Sequence, residues 1–264
     1  MANENLILTE AEGSTATIWL NRPEKHNALD IQMLTELLSS LKHLNSSPAI
    51  RLILIRGKGK SFCSGADLNW MQRSAELSDE DNYRECEILA ACFHELYHSN
   101  RITVCMVHGS SFGGANGFPA VCDIAVSTDS AVFAFSEVRL GIVPATIAPY
   151  ILSKTIKSRV MECMLNGRSF TPYEAYDMGL ISKIVSEDEA DSYLSSLVES
   201  LLTGSPEAQH GIKDIVRTYS SLQADNHLVH KTAFILAQTR VSPDAREGIS
   251  SFLEKRKPVW NLLH

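Results

Sequence analysis

The spacing of apolar positions changes character repeatedly along the chain, and each change predicts an element. Leu6 to Thr9 and Thr15 to Leu20 read as two strands hinged at Glu12-Gly13-Ser14. The polar loop NRPEKHNALD follows, with Asp30 placed to cap a helix. From Ile31 to Leu44 apolar residues recur at helical spacing, and after Pro48 the continuous run RLILIRG predicts a buried parallel strand. GKGKSFCSGADLNW reads as the loop behind it, and DNYRECEILAACFHELYHSN as a charged helix. VCMVHG is a further strand, SSFGGANGFPAVCD a glycine-led turn into a short apolar helix, and DIAVST and AVFAFSE two more strands. From Ser158 onward the pattern is mostly helical, with starts marked by Thr171-Pro172, Ser205-Pro206 and Ser242-Pro243. The sum is an α/β chain of recurring strand-strand-helix units ahead of a helical C-terminal region, with no internal repeat or low-complexity linker in the residues themselves.

Composition narrows the function classes. The 264 residues are 44% hydrophobic and 21% charged, ordinary for a globular protein, and the net charge of −7 offers nucleic acid no basic face. Six cysteines, with no CxxC pair, read as reduced thiols in a cytosol, giving neither a zinc site nor a disulfide framework. MANENLILTEAEG has neither a basic leader nor a long apolar run, and no stretch approaches the roughly 18 apolar residues of a membrane span, so the expectation is a cytoplasmic protein. No His/Cys/Asp cluster has ligand spacing and no glycine-rich dinucleotide fingerprint follows a strand, so neither a metal nor a redox cofactor is expected.

Two loops carry candidate chemistry: Ser64-Gly65-Ala66-Asp67-Leu68 and Gly109-Ser110-Ser111-Phe112-Gly113-Gly114. Each puts small residues where backbone can approach a ligand, and the second opens a helix whose first amides lack intrahelical partners and would stabilise an oxyanion.

These segments resemble the crotonase, or enoyl-CoA hydratase/isomerase, superfamily. The likeness runs from NRPEKHNALD through SFCSGADL, HGSSFGGANGFPAVCDIAVSTDSAVFAFSEVRLGIVP and RSFTPYEAYDMGLISKIV to EGISSFLEKRKP, nearly the whole chain. It implies a repeated ββα spiral core over 1–200 holding coenzyme A and the active site, and a helical trimerisation region over 201–264. It implies further that the Ala66 and Gly114 amides form the hole for the thioester oxygen, where one donor is worth about 3 to 4 kcal/mol. By the same resemblance Lys25, His26 and Ala28 lie at the phosphoribosyl-adenine end, while Ala66, Asp67 and Leu68 line the path of the ligand. Phe252 and Lys255 reach a neighbouring subunit's ligand in a trimer or a hexamer made as a dimer of trimers. Coenzyme A enters only as part of the substrate.

Hydratases of that family carry one glutamate three residues after the second oxyanion glycine and another in the SE segment. Here Gly117 stands at the first position and Glu137 at the second. Glu137 is thus the expected acid/base, and Gly117 is read as vacating volume for a branched acyl group. Apolar residues flanking Glu137 are expected to desolvate it and raise its pKa. Within the superfamily, SGADLNWM and SEVRLGIVPATIAPYI resemble the bacterial methylglutaconyl-CoA hydratases of leucine catabolism and their relatives acting on isohexenylglutaconyl-CoA. A distal substrate carboxylate would need a cation, for which Arg139, Arg73 and Arg84 are the candidates. The alternatives are an enoyl-CoA isomerase, which also works with one acid/base, and a non-catalytic acyl-CoA- or RNA-binding protein on the same scaffold. The acidic charge argues against the RNA branch.

Overall fold

The computed structural model describes residues 5–74, 76–219 and 243–261. They fall into two compact units, Met1–Tyr193 and Leu194–His264.

The first unit is built on two sheets. In the larger, strands β1 (Ile7–Glu12), β2 (Thr15–Leu20), β3 (Leu52–Gly57), β4 (Ile102–Val107), β6 (Ile124–Thr128) and β9 (Lys183–Val185) lie in the order β1-β2-β3-β4-β6-β9. Only the β1–β2 hairpin is antiparallel, and every later pairing in that sheet is parallel. Parallel pairing buries both faces, which is why β3 and β4 are apolar almost throughout instead of alternating. The smaller sheet orders β5 (Ser110–Phe112), β7 (Val132–Ala134) and β8 (Ser169–Phe170).

Helix α1 (Ile31–Ser46) starts where Asp30 accepts from the Met33 amide at 2.9 Å, and it buries Met33, Leu34, Leu37, Leu41 and Leu44, one stripe at three- and four-residue steps. It packs against α3 (Asp79–Tyr97), which contributes Cys92, Phe93 and Leu96 to the core. The remaining helices of this unit are α2 (Leu68–Ser74), α4 (Gly117–Val121), α5 (Ala148–Lys154), α6 (Lys157–Asn166) and α7 (Pro172–Asp177). Thr171 and Glu174 close a capping box at the start of α7.

α8 (Ala190–Leu202) leads into the second unit, which holds α9 (Pro206–Tyr219) and α10 (Pro243–Leu253). There α9 and α10 pack together, Ser205 Oγ donates to Asp244 at 2.6 Å, and Arg256 grips Glu247 through two nitrogens. Both helices begin on the predicted prolines.

The expected recurrence of strand-strand-helix units ahead of a helical C-terminal region is therefore what the chain forms, with local differences. Strands β8 and β9 interrupt the stretch read as mostly helical, because two or three residues are too few to show a period. The segment read as loop after Asp67 turns into α2, and PATIAPY carries the start of α5. The strand expected at AVFAFSE ends at Ala134, and Ser136–Leu140 is a 3-10 turn. The glycine-led turn into a short apolar helix forms as expected, as a 3-10 turn, Gly113–Asn116, running into the five residues of α4. Among the described residues no helix is long and apolar enough to cross a membrane.

Candidate active site

The loop 22–30 enters through two consecutive left-handed residues, His26 and Asn27, at φ 51° and 54°. That conformation is disfavoured for residues with a Cβ, though Asn tolerates it best. It is held by the Asn27 side chain, which donates to the carbonyls of Lys58, Ser61 and Phe62 and accepts the Arg22 amide. Arg22 in turn reaches Asp30 and Asp67, each at 3.0 Å, and Lys25 reaches Asp67 at 3.6 Å. Burial would push the Asp67 carboxyl up, but amide hydrogen bonds from Trp70 and Asn69 and the charges of Arg22 and Lys25 outweigh it and hold the group below the usual carboxylate range. Asp67 is therefore an anion that organises Arg22 and Lys25 and starts α2.

The two glycine loops lie side by side. The Cys63 amide donates to Ser110 O at 2.9 Å and the Phe112 amide to Cys63 O at 3.2 Å. Gly65 sits at φ 94°, and a Cβ there would come within 2.9 Å of Phe112 O, so only glycine lets the loops close. The Leu29 amide donates to Gly65 O, and the Leu29 carbonyl accepts from the Asp67 amide and not from that of Ala66. In such a parallel bridge the intervening residue points its own N–H to the opposite side, which frees the Ala66 amide. The Gly114 amide precedes the first bond of its 3-10 turn and has no intrahelical acceptor. Because α4 is so short, its dipole adds little, and the amides themselves must do the stabilising.

Glu137 lies on the 3-10 turn Ser136–Leu140, 8% exposed, where a Cβ on Gly113 would stand 3.3 Å from its Oε1. Its Oε2 is buried without a hydrogen-bond partner among the described residues. Burial raises the carboxyl above its ordinary value of 4.5. Direction and cause, desolvation, both match the sequence reading, although Val138 on one flank is itself 42% exposed.

One cavity of about 800 Å³ gathers Lys25, His26, Ala28, Ala66, Asp67, Leu68, Gly114, Glu137 and Arg139. Arg139 is exposed, its stem is 3.0 Å from where a Gly167 Cβ would be, and it has no acidic partner among the described residues. Arg73 is paired with Glu85, and Arg84 with Glu80 and Asp81, and neither lines the cavity. Lys255 is an exposed residue of the C-terminal unit at φ 55°, and the Phe252 side chain lies outside the described residues. Among the described residues no group of three His, Cys, Asp or Glu side chains could hold a metal ion.

Gly117 needs correction. It does not line the cavity, and its missing side chain leaves no room: a Cβ there would meet Phe93 Cε1 at 2.5 Å and Ile147 Cγ2 at 2.6 Å. The glycine is a point of close packing between α4, Phe93 and Ile147, so it makes no space for a substrate branch. The apolar wall comes from residues the sequence reading passed over, chiefly Trp70, Met71, Leu89, Ile142 and Val143. Trp70 stood at the end of a segment read as loop and Leu89 inside the charged helix, and neither place marks a residue as cavity wall.

The family model for enoyl-CoA hydratase/isomerase matches residues 10–262. A Legionella pneumophila structure assigned as an enoyl-CoA hydratase/isomerase (crotonase) superposes with a TM-score of 0.94 at 33% identity, covering 98% of this chain and 100% of that one. An enoyl-CoA hydratase from Shewanella pealeana gives 0.93 at 31% identity, over 98% and 97% of the two chains. Among curated proteins, the enoyl-CoA hydratase AKT6-1 of Alternaria alternata is 30% identical over 251 residues, 94% of this chain and 81% of that one.

Proposed function

The chain belongs to the enoyl-CoA hydratase/isomerase family, and on that premise we propose that it hydrates a branched 2-enoyl-CoA with a distal carboxylate. The substrate of first choice is 3-methylglutaconyl-CoA, giving 3-hydroxy-3-methylglutaryl-CoA in leucine degradation. The observation that carries this reading is Glu137, a buried carboxyl with an unpartnered oxygen, on the same cavity wall as the Ala66 and Gly114 amides. In the reaction the Glu137 carboxylate takes a proton from water as the water oxygen bonds to C3. The C2–C3 electron pair moves onto the thioester, whose oxygen is held as an enolate by the two amides. The same carboxyl then returns the proton to C2. Lys25 and His26 at the cavity's rim suit the coenzyme A phosphates, and the apolar wall suits the acyl chain.

Arg139 supports the dicarboxylic acyl group, because it is the cavity-lining arginine without an acid partner among the described residues. Replacing it by alanine should lower kcat/KM on 3-methylglutaconyl-CoA about 10- to 100-fold, the worth of a charged hydrogen bond, and leave crotonyl-CoA unaffected. Equal losses on both substrates would remove Arg139 from substrate recognition. No metal or redox group takes part in this mechanism, so exhaustive chelation is expected to leave turnover unchanged. Activity lost to chelator and restored by zinc would require a different mechanism.

One observation favours a second reading. With Phe93 and Ile147 filling the ground behind Gly117, Glu137 stands without the second glutamate of the two-glutamate pattern, and moving a proton between C2 and C4 needs no more than one such carboxylate. A panel of straight, branched and dicarboxylic 2-enoyl- and 3-enoyl-CoA thioesters separates the two. A product heavier by one water with loss of enoyl absorbance supports hydration, and a shifted double bond of unchanged mass supports isomerisation. We also propose a homotrimer or a dimer of trimers in the cytoplasm. The exposed face of α9, with Ile212, Ile215 and Val216, supports burial against another copy.

A further inference from the structure

Hydration asks more of a site than proton transfer does. A carboxylate that removes one hydrogen from water fixes one O–H direction, and the attacking oxygen stays free to swing unless its second hydrogen is also held. The position where a second carboxylate would do this in the two-glutamate pattern is Gly117, which is walled by the hydrocarbon of Phe93 and Ile147. Neither can hold a water.

A hydroxyl stands on the other side of the oxyanion turn. Ser136 immediately precedes Glu137 in the same 3-10 turn, is half-buried, and lines the cavity. A Cβ placed on Gly113 would lie 3.4 Å from Ser136 Oγ and 3.3 Å from Glu137 Oε1, so both oxygens flank one point beside the Gly114 amide. Other buried hydroxyls near the turn are committed, as Ser111 is to Asn116 Oδ1 at 2.8 Å. The Ser136 hydroxyl has no protein partner among the described residues, which leaves it available to a ligand.

We propose that Ser136 is the second holder of the attacking water. Its Oγ accepts the hydrogen that stays with the oxygen, while Glu137 takes the hydrogen that leaves. The bond between water oxygen and C3 forms as that O–H breaks, and the proton passes through Glu137 to C2, so one water is added and nothing is oxidised or reduced. The proposal rests on the hydratase reading above. It assigns to Ser136 a part in water addition and none in α-proton transfer, which Glu137 and the two amides accomplish alone.

That division is what the experiment reads. Ser136→Ala and Ser136→Thr are compared with the wild type in two assays: hydration of crotonyl-CoA, and exchange of the α-hydrogen of butyryl-CoA in deuterated water. Ser136→Ala is expected to lower kcat for hydration about 10- to 100-fold, the worth of one hydrogen bond to a reacting group, with KM and the exchange rate unchanged. Ser136→Thr, which keeps the hydroxyl, should restore most of the hydration rate. Hydration undiminished in Ser136→Ala, or hydration and exchange falling together while threonine fails to rescue, would overturn the role of Ser136 alone. A wild-type enzyme that exchanges the α-hydrogen but hydrates no enoyl-CoA would overturn the hydratase reading, and the water-holding role with it.

Discussion

Glu137→Gln is expected to cut turnover by about 10²- to 10⁴-fold, the range for loss of a general acid–base group, while coenzyme A binding is spared. Glutamine keeps the size of the side chain and its seat beside Gly113, so what disappears is the capacity to accept a proton. Steady-state kinetics with a parallel measurement of CoA affinity checks this, and full activity in the variant would end the single-carboxylate mechanism. The same substitution has a pH signature. Because burial raises the folded-state pKa of Glu137 above 4.5, the neutral carboxyl contributes stability that is fully present below that value and is lost as pH rises through the raised one. At neutral pH the wild type therefore bears the cost of burying a titrating carboxyl, which glutamine does not. Glu137→Gln should melt at a higher temperature than wild type at neutral pH, the difference closing below 4.5, and the acid limb of the wild-type kcat/KM profile should sit above the ordinary carboxylate range. A melting difference that grew on acidification would contradict the burial argument.

Gly117→Glu should be the most damaging single change to the fold. The first carbon of the new side chain would lie 2.5 to 2.6 Å from the Phe93 ring and Ile147, and the carboxylate beyond it would be forced among fully buried apolar groups. Overpacking alone costs about 1–3 kcal/mol, and an unpaired buried charge adds several more, against a total stability of about 5–15 kcal/mol for an ordinary domain. Little soluble folded protein, or a melting temperature lowered by many degrees, is the expected result, with Gly117→Ala intermediate. A variant that folds like wild type and hydrates crotonyl-CoA faster would show that α4 yields to admit a second carboxylate at the site.

What was legible in the sequence follows a pattern. The Ile31–Leu44 stripe, the RLILIRG run and the proline-marked helix starts could be read because each is a local rule repeated over many residues: a period, a cap, a missing amide proton. Strands β8 and β9 could not, since two or three residues earn their extended form from the neighbours they pair with. The glycine-led turn into a short apolar helix was legible as well, and it forms as Gly113–Asn116 running into α4.

The active site divides in the same way. From its own residues the sequence determined two glycine loops, a carboxylate and a set of arginines, and the likeness of those strings to a known family attached roles to them. Folding decided which of these meet. It closed the Gly65 loop on Phe112, buried Glu137 against Gly113, and paired Arg73 and Arg84 with nearby acids while leaving Arg139 on the cavity. It also reversed the meaning of Gly117, since a side chain's absence makes room only if nothing else fills the space. Phe93 lies 24 positions before Gly117 and Ile147 lies 30 after, and packing at such separations is set by the sheet and helices that carry them, leaving no local trace in the residues around the glycine.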